Sequence, residues 1–319
     1  MNILTFGKDG QLGKAFKAAF AKKTEGQHRI YHVGRAECDL ANSDAITALL
    51  NQIRPDFIIN AAAYTAVDKA ETEVDLAFAI NAKAPEIMAQ YAVVNGASLL
   101  HYSTDYVFDG SKEGLYTEDD QCNPLGVYGK SKAAGEQAVE DTFAPLLAKV
   151  NGCYAIFRAS WVYGDGDNFI RTILRLAKEP EELRIISDQH GVPTNAEWLA
   201  SVSLDLALAV NGQMQRFPSG VYHAVPSGQT TWHGLAKLAV QSAMEAGLPL
   251  IAQPAAIKAI LANEYSLPAA RPMNSRMVTS RLQALWKGDA DINKRRQLLE
   301  PWDKSVKAYV QRLVHSKLI

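Results

Sequence analysis

Short apolar runs alternate with amphipathic stretches through the first half of the chain. Asn2–Phe6, Arg29–Val33, Phe57–Asn60, Leu99–Ser103 and Tyr154–Arg158 have strand length and strand composition. Between them, Leu12–Ala21, Ser43–Gln52, Glu73–Asn95 and Ser131–Glu140 carry apolar residues at helical spacing. Strands alternating with helices predict an α/β fold, a doubly wound parallel sheet covered on both faces. Pro85 falls inside the third helical stretch, so two helices or one kinked helix are expected there. Phe143–Gly152 reads as a loose extension. Beyond Arg158 the alternation fades. Trp161–Asn168 reads as a loop and Ile185–Thr194 as a strand plus loop. Phe169–Ala177, Glu197–Val210, Trp232–Ala246 and Asp303–Val314 read as helices.

The 319 residues suffice for two modest domains, and 48% apolar residues supply a sizeable core. A net charge of -1 gives no global field for nucleic acid or an anionic membrane, so neither is an expected partner. Any polyanionic ligand must then be held by a local site. Cys38, Cys122 and Cys153 lie far apart without metal or redox spacing, which points to a reducing compartment. The start Met1–Phe6 has neither the basic residues nor the apolar length of a signal peptide, and no apolar run approaches membrane-spanning length. A soluble, cytoplasmic protein is expected.

Gly7-Lys8-Asp9-Gly10-Gln11-Leu12-Gly13 follows the first strand and opens the first helix. Glycines in that place permit a tight turn and close backbone approach to a pyrophosphate. The helix N-terminus then offers unpaired N–H groups to the phosphates. Residues 1–160 are therefore expected to form a Rossmann-type dinucleotide-binding domain, with segments returning to it from about 185–225. Residues 161–184 and 226–319 would form a smaller C-terminal substrate domain. The second strand ends His32-Val33-Gly34-Arg35, with no acid for an adenosine ribose. Arg35 is either a partner for the 2′-phosphate of NADP or a solvated loop arginine. NADPH is thus favoured over NADH.

Tyr128 and Lys132 stand at i and i+4, which share one face of a helix. An ammonium beside a phenol stabilises the phenolate, so the Tyr128 pKa is expected below its ordinary ~10. Such a phenol can protonate a carbonyl oxygen. Thr104, just after the fourth strand, sits where an open α/β sheet presents its ligands, and its hydroxyl can bond a substrate carbonyl or Tyr128.

Thr104, Tyr128 and Lys132 resemble the Ser/Thr–Tyr–Lys set of the short-chain dehydrogenase/reductase superfamily. Chain length and the G-x-x-G-x-x-G turn resemble its extended branch. Five further segments resemble the dTDP-4-dehydrorhamnose reductase family: Asn60–Glu71, Ser103–Gly110, Arg158–Tyr163, Asp188–Thr194 and Arg271–Arg276. They follow that family's order along nearly the whole chain.

The resemblance implies reduction by NADPH or NADH of the 4-keto group of dTDP-4-dehydro-6-deoxy-L-mannose, giving dTDP-L-rhamnose. Tyr128 would deliver the proton, Lys132 would tune it and bond the nicotinamide ribose, and Thr104 would position the sugar. Gly7, Gly10, Gln11, Leu12 and Gly13 would approach the pyrophosphate, with Asp39 and Leu40 near the adenine. Ala62, Ala63, Tyr64, Thr65 and Tyr102 would line the rest of the cofactor. Thr104, Asp105, Tyr106 and Trp161 are expected at the sugar. A nearly neutral protein needs local cations for a diphosphate, so Arg271 or Arg276 is expected to supply one, against the commoner case of a surface arginine.

Dehydratase relatives keep two acids beside the threonine, whereas here Asp105 is followed by Tyr106. Epimerising relatives need a cysteine and histidine whose setting Cys122 and Cys153 lack. Plain reduction remains. Some relatives bind magnesium at a dimer interface through a glutamate of the first helix. Here that helix opens Lys14-Ala15-Phe16-Lys17, so no metal is expected, and the chain is expected as monomer or homodimer. Two rivals stay open: a reductase of another nucleotide 4-keto sugar, and a non-catalytic NADP-binding regulatory subunit of the same fold. Among other residues, His101 is expected as a satisfied core histidine, and Asn168 either bonds a phosphate or shapes its loop. Asp68, Lys69 and Glu71 are expected as solvated charges or a local ion pair.

Overall fold

Six strands build one parallel sheet: β1 (Asn2–Phe6), β2 (Arg29–Val33), β3 (Phe57–Asn60), β4 (Ser98–Thr104), β5 (Tyr154–Ala159) and β6 (Gly220–His223). The computed structural model describes residues 1–23, 28–146, 151–179, 182–209, 211–286 and 292–319. The strand order is β6-β5-β4-β3-β1-β2. The chain leaves β1 toward β2 and later continues from β3 in the opposite direction. That reversal opens a crevice beyond the ends of β1 and β3, the place where open α/β sheets bind ligands. The register puts Phe6 level with Val33 on one side and Asn60 on the other, so the three strand ends share one rim.

Successive side chains of a strand point to opposite faces. Ile59, Leu100 and Phe157 join Phe16, Phe20 and Trp198 under helices Gln11–Lys23 and Ala196–Ala207. Ile58, Leu99 and Ile156 join Leu50, Met88, Val139 and Phe143 under helices Ser43–Ile53, Ala84–Asn95 and Val127–Phe143. With both faces covered, every residue of β3, β4 and β5 is buried. Continuous apolar strands of this kind are what a parallel sheet requires. A second core gathers Ile170, Leu174, Leu235, Val240, Val306 and Tyr309 from helices Phe169–Leu176, Trp232–Glu245 and Trp302–His315. The parallel strand pair Leu183–Ile186 and Ile257–Ile260 packs with it.

Several boundaries differ from the sequence reading. β4 begins one residue earlier and takes in Thr104. The helix bearing Tyr128 begins at Val127 rather than Ser131. Its cap, Gly126, has no side chain to bond the free amides, and the carboxylate of Glu71 accepts from the Val127 N–H instead, at 2.8 Å. A cap supplied from another segment leaves no trace in the local pattern. The stretch Glu73–Asn95 divides into helix Val74–Phe78, a π-turn Ala79–Lys83 and helix Ala84–Asn95, with Pro85 in the first turn of the last. Proline is tolerated there because first-turn amides have no intrahelical partner. β6 was not marked as a strand, although a return of the chain to the sheet was expected. Residues 147–150 of the expected loose extension, and Val210 at the end of the expected helix, lie outside the described residues. Among the described residues no helix is long and apolar enough to cross a membrane.

Candidate active site

The glycine turn is shaped by contacts that a side chain would prevent. Gly7 has φ 89°, and a Cβ there would stand 2.8 Å from the backbone of Ala61 and Ala62. A Cβ at Gly13 would stand 1.9 Å from the Gly7 carbonyl oxygen. The turn therefore nests against the loop after β3, and the first helix starts at its mouth. This cradle, closed to any side chain, fits a group that backbone amides approach directly.

A cleft of about 690 Å³ runs from this turn across the strand ends. Gly7, Gly10, Gln11, Leu12, Arg35, Ala62, Ala63 and Thr65 line one end. Tyr102, Thr104, Asp105, Tyr106, Tyr128, Lys132 and Trp161 line the other. A smaller cavity shares Gly7, Arg35 and Ala62 with it and adds Asp39, Leu40 and Tyr64. Gly13 lies beneath the turn and lines neither. Arg271 also lines neither: its guanidinium grips Asp68 through two hydrogen bonds of 2.7 Å. Asp68 is thus tied across the fold rather than solvated. At the end of β2, Glu37 folds back to accept from the Gly34 N–H at 2.8 Å and pairs with Lys8. An acid does stand near that strand end, three residues later than the sequence reading sought it, and it is already engaged. The Arg35 side chain stays 77% exposed, 3.5 Å from Asp39.

At the other end of the cleft, Tyr128 and Lys132 project from one face of their helix toward the end of β4. The buried Lys132 ammonium donates to the Tyr102 carbonyl at 2.5 Å. Burial pulls its pKa down to about 8, against the raising effect of Glu136. The Tyr128 phenol is pushed up to about 12 by burial, against the lowering effect of its hydrogen bond with the Thr104 side chain. The direction is opposite to the sequence expectation. The reason is that desolvation disfavours the phenolate, while Lys132 spends its proton on a backbone carbonyl. The Thr104 hydroxyl donates to Asp105 at 2.9 Å and accepts from the Tyr106 N–H at 3.2 Å. The Tyr106 ring meets that of Tyr128 edge-on, with centroids 5.8 Å apart.

Asp105 is 2% exposed, and among the described residues no hydrogen bond is made to its Oδ2. Burial lifts its pKa from 3.8 to about 6, with the hydroxyls of Ser275 and Thr104 opposing the rise. A carboxyl with a raised folded pKa binds its proton more tightly folded than unfolded. Above about 6 it therefore destabilises the fold by its full amount, and the penalty is lifted as pH falls toward 3.8. Asp105→Asn is expected to stabilise the protein by about 2–3 kcal/mol near pH 8, with the gain shrinking toward zero near pH 4. Urea denaturation at a series of pH values measures it, and a pH-independent difference would contradict the assignment.

Some residues at the site escaped the sequence reading. Asn81 is buried in the π-turn; its side chain accepts from the Tyr64 N–H at 2.8 Å and donates to the Tyr64 carbonyl and Ser131 hydroxyl at 3.0 Å. It ties the loop after β3 to the helix of Tyr128. An asparagine in an apolar helical stretch just before a proline was the available signal, since π-turns concentrate at functional sites. Trp232 lines the large cleft beside Trp161, and nothing local marks it. His101 is buried and shares a 3.1 Å hydrogen bond with Asn60, but its Nε2 has no partner, so it is only half satisfied. Asn168 donates to the carbonyls of Gly164 and Gly166 at 3.0 Å and to Gln11 at 3.2 Å, so it shapes its loop against the glycine turn.

A parallel sheet with a glycine cradle at its switch point and a Thr–Tyr–Lys cluster at the far end of the same cleft define a dinucleotide-dependent oxidoreductase of the short-chain dehydrogenase/reductase type. Residues 1–314 match the family described as RmlD substrate binding domain. The chain is 43% identical to dTDP-4-dehydrorhamnose reductase of Escherichia coli, over 94% of this chain and 98% of that one. It is 40% identical to the enzyme of that name from Burkholderia thailandensis, over 86% and 89%. Its structure resembles that of a dTDP-4-dehydrorhamnose reductase from Clostridium acetobutylicum, with a TM-score of 0.83, 31% identity, and coverage of 98% and 99%. It also resembles the Bacillus anthracis dTDP-4-dehydrorhamnose reductase in complex with NADP, at TM-score 0.80, 30% identity, and coverage of 97% and 98%. The chain belongs to this family, that of the dTDP-4-dehydrorhamnose reductases.

Proposed function

We propose that this protein reduces the 4-keto group of dTDP-4-dehydrorhamnose to give dTDP-L-rhamnose, the final step in making that nucleotide sugar. The observation that carries the reading is the meeting of Thr104, Tyr128 and Lys132 at one end of a cleft whose other end is the glycine cradle. Relatives bearing that enzyme name, and the NADP complex of one of them, support it. Gly10, Gln11 and Leu12 would hold the pyrophosphate of a nicotinamide cofactor, Asp39 and Leu40 the adenine, and Ala62, Ala63, Tyr64 and Thr65 the stretch between. Lys132 and Tyr102 would face its nicotinamide ribose. When bound, that cofactor supplies the hydride.

The chain's own residues manage the proton. A reductase needs its acid protonated before the reaction, and a phenol near 12 is fully protonated at neutral pH. An alkoxide forming at the sugar oxygen is a stronger base than the phenolate, so transfer from Tyr128 runs downhill. Thr104, whose hydroxyl donates to Asp105 and accepts from the Tyr106 N–H, would orient the phenol and would offer the carbonyl a hydroxyl on letting go of Asp105. Asp105, Tyr106 and Trp161 would surround the sugar. Arg271, now held by Asp68, would serve the diphosphate only after exchanging partners. Residues 1–160 with the returning segments from about 185–225 would act as the cofactor domain, and the remainder as the nucleotide-sugar domain. No metal is part of the proposal, and the chain would act as monomer or homodimer.

The test is consumption of NADPH and NADH, followed separately, with dTDP-4-dehydrorhamnose and with keto sugars on other nucleotides. No turnover of the dTDP sugar would overturn the reading. Arg35 sets the expected preference, because its exposed guanidinium at the adenosine end, 3.5 Å from Asp39 in a solvent-screened pair, would turn to a 2′-phosphate. Arg35→Ala is expected to lower kcat/KM for NADPH by roughly 10- to 100-fold, the worth of a hydrogen bond to a charged group, with little change for NADH. Equal losses with both cofactors would remove Arg35 from that role.

A further inference from the structure

The indoles of Trp161 and Trp232 stack at 3.7 Å between ring centroids, with planes 16° apart. Phe169 leans on Trp232 from 4.6 Å. Trp161 also lies against the chain at Gly191, where an added Cβ would stand 2.6 Å from the indole carbons Cε2 and Cζ2. The backbone of Trp161 has φ 47°, a left-handed conformation that a bulky residue adopts only when its surroundings hold it there. Those surroundings come from two short strand contacts. His190–Gly191 pairs antiparallel with Thr230–Thr231, which places Trp232 immediately beyond the pair. Val162–Tyr163 pairs with Thr194–Asn195, which fixes the chain just after Trp161. Both tryptophans are partly exposed, and what they expose lines the cleft that holds Thr104, Asp105 and Tyr128.

We propose that Trp232 is a specificity-determining positioning residue. It braces Trp161 in its strained backbone state, so that the stacked pair forms a rigid apolar wall at the Thr104–Tyr128 end of the cleft. That wall takes the deoxy, methyl-bearing flank of the sugar. The proposal rests on the reading of the substrate as a nucleotide-linked 6-deoxy sugar. Its chemistry is that of aromatic–sugar contacts: a flat, desolvated face gains by covering C–H groups and offers nothing to a hydroxyl. The pyrophosphate and base of the ligand do not depend on this wall, so loss of Trp232 acts on the sugar alone.

Calorimetric titration with dTDP-L-rhamnose and with dTDP separates the two contributions without any turnover. Trp232→Ala is expected to weaken dTDP-L-rhamnose about tenfold, roughly the worth of one aromatic pair with its contacts, and to leave dTDP within about twofold. Trp232→Phe keeps a ring against Trp161 and is expected to recover most of the loss. The far-ultraviolet circular dichroism couplet of two stacked indoles should vanish in both variants, and an unchanged amide NMR spectrum away from the pair reports an intact fold. In kinetics, KM for the keto sugar should rise with kcat nearly unchanged. In Trp232→Ala, loss of the couplet without loss of sugar affinity overturns the proposal, as does an equal loss for dTDP. Should the wild-type protein bind dTDP-L-rhamnose yet fail to reduce the keto sugar, the proposed reaction falls while the bracing role stands or falls on the titrations.

Discussion

Tyr128→Phe is expected to lower kcat by on the order of 10²- to 10⁴-fold, the usual contribution of a positioned general acid. NADPH affinity should change less than about twofold, since the variant removes one hydroxyl and keeps the buried ring. The phenol is the group at the head of the cleft that is both protonated at neutral pH and bonded to Thr104. Asp105 is not the proposed donor, because burial raises its pKa only to about 6, which leaves it mostly ionised at neutral pH with no proton to give. Fluorescence titration of NADPH and single-turnover reduction measure the two quantities separately. A variant that keeps more than a tenth of wild-type turnover would remove Tyr128 from the proton transfer. A variant that loses cofactor binding in parallel would recast it as a structural residue.

The second large effect lies behind the site. Glu136, one turn beyond Lys132, binds the Arg158 guanidinium through three contacts of 2.6, 3.0 and 3.1 Å. Their side chains are only 3% and 5% exposed. Arg158 also rests over the Phe108 ring at 5.1 Å and reaches Cys122 at 3.1 Å, while its Nη1 has no partner among the described residues. The pair joins the helix of Tyr128 and Lys132 to the end of β5, from which the chain runs on to Trp161. Glu136→Ala leaves a buried guanidinium uncompensated and is expected to cost about 3–5 kcal/mol. Replacing both partners by Glu136→Leu with Arg158→Met should recover much of that loss, because an apolar pair carries no desolvation penalty. Denaturant unfolding of the three variants measures it. A single-variant loss under about 1 kcal/mol would mean that water or a neighbour takes over the charge.

How much of this was legible in the sequence follows from the range of the forces involved. β1, β2 and β3 could be read to the residue, because each is a short apolar or β-branched run set between helical stretches. The glycine turn could be read because its constraint is local: three glycines within seven residues, directly after a strand. Tyr128 and Lys132 could be read because helical geometry alone puts i and i+4 on one face. β6 could not, since Gly220–His223 is a strand only by pairing with β5. The start of the Tyr128 helix could not, since its cap comes from Glu71, far back in the chain.

The sequence by itself determined the alternation of strands and helices, the glycine turn, the candidate side chains for the reaction and the family. Each of these rests on neighbours within a turn or a strand, or on motifs kept in order. Only the tertiary structure decided the electrostatics and the grip of the site. Burial turned the Tyr128 shift upward where proximity to Lys132 predicted a fall, because desolvation depends on every element packed around a group. Arg271 went to Asp68, Asn81 tied the loop after β3 to the Tyr128 helix, and Trp232 came to stand against Trp161, because pairings across the fold are set by where separate segments meet. The proposed proton donor was therefore visible in the chain, and the environment that keeps it protonated was visible only in the fold.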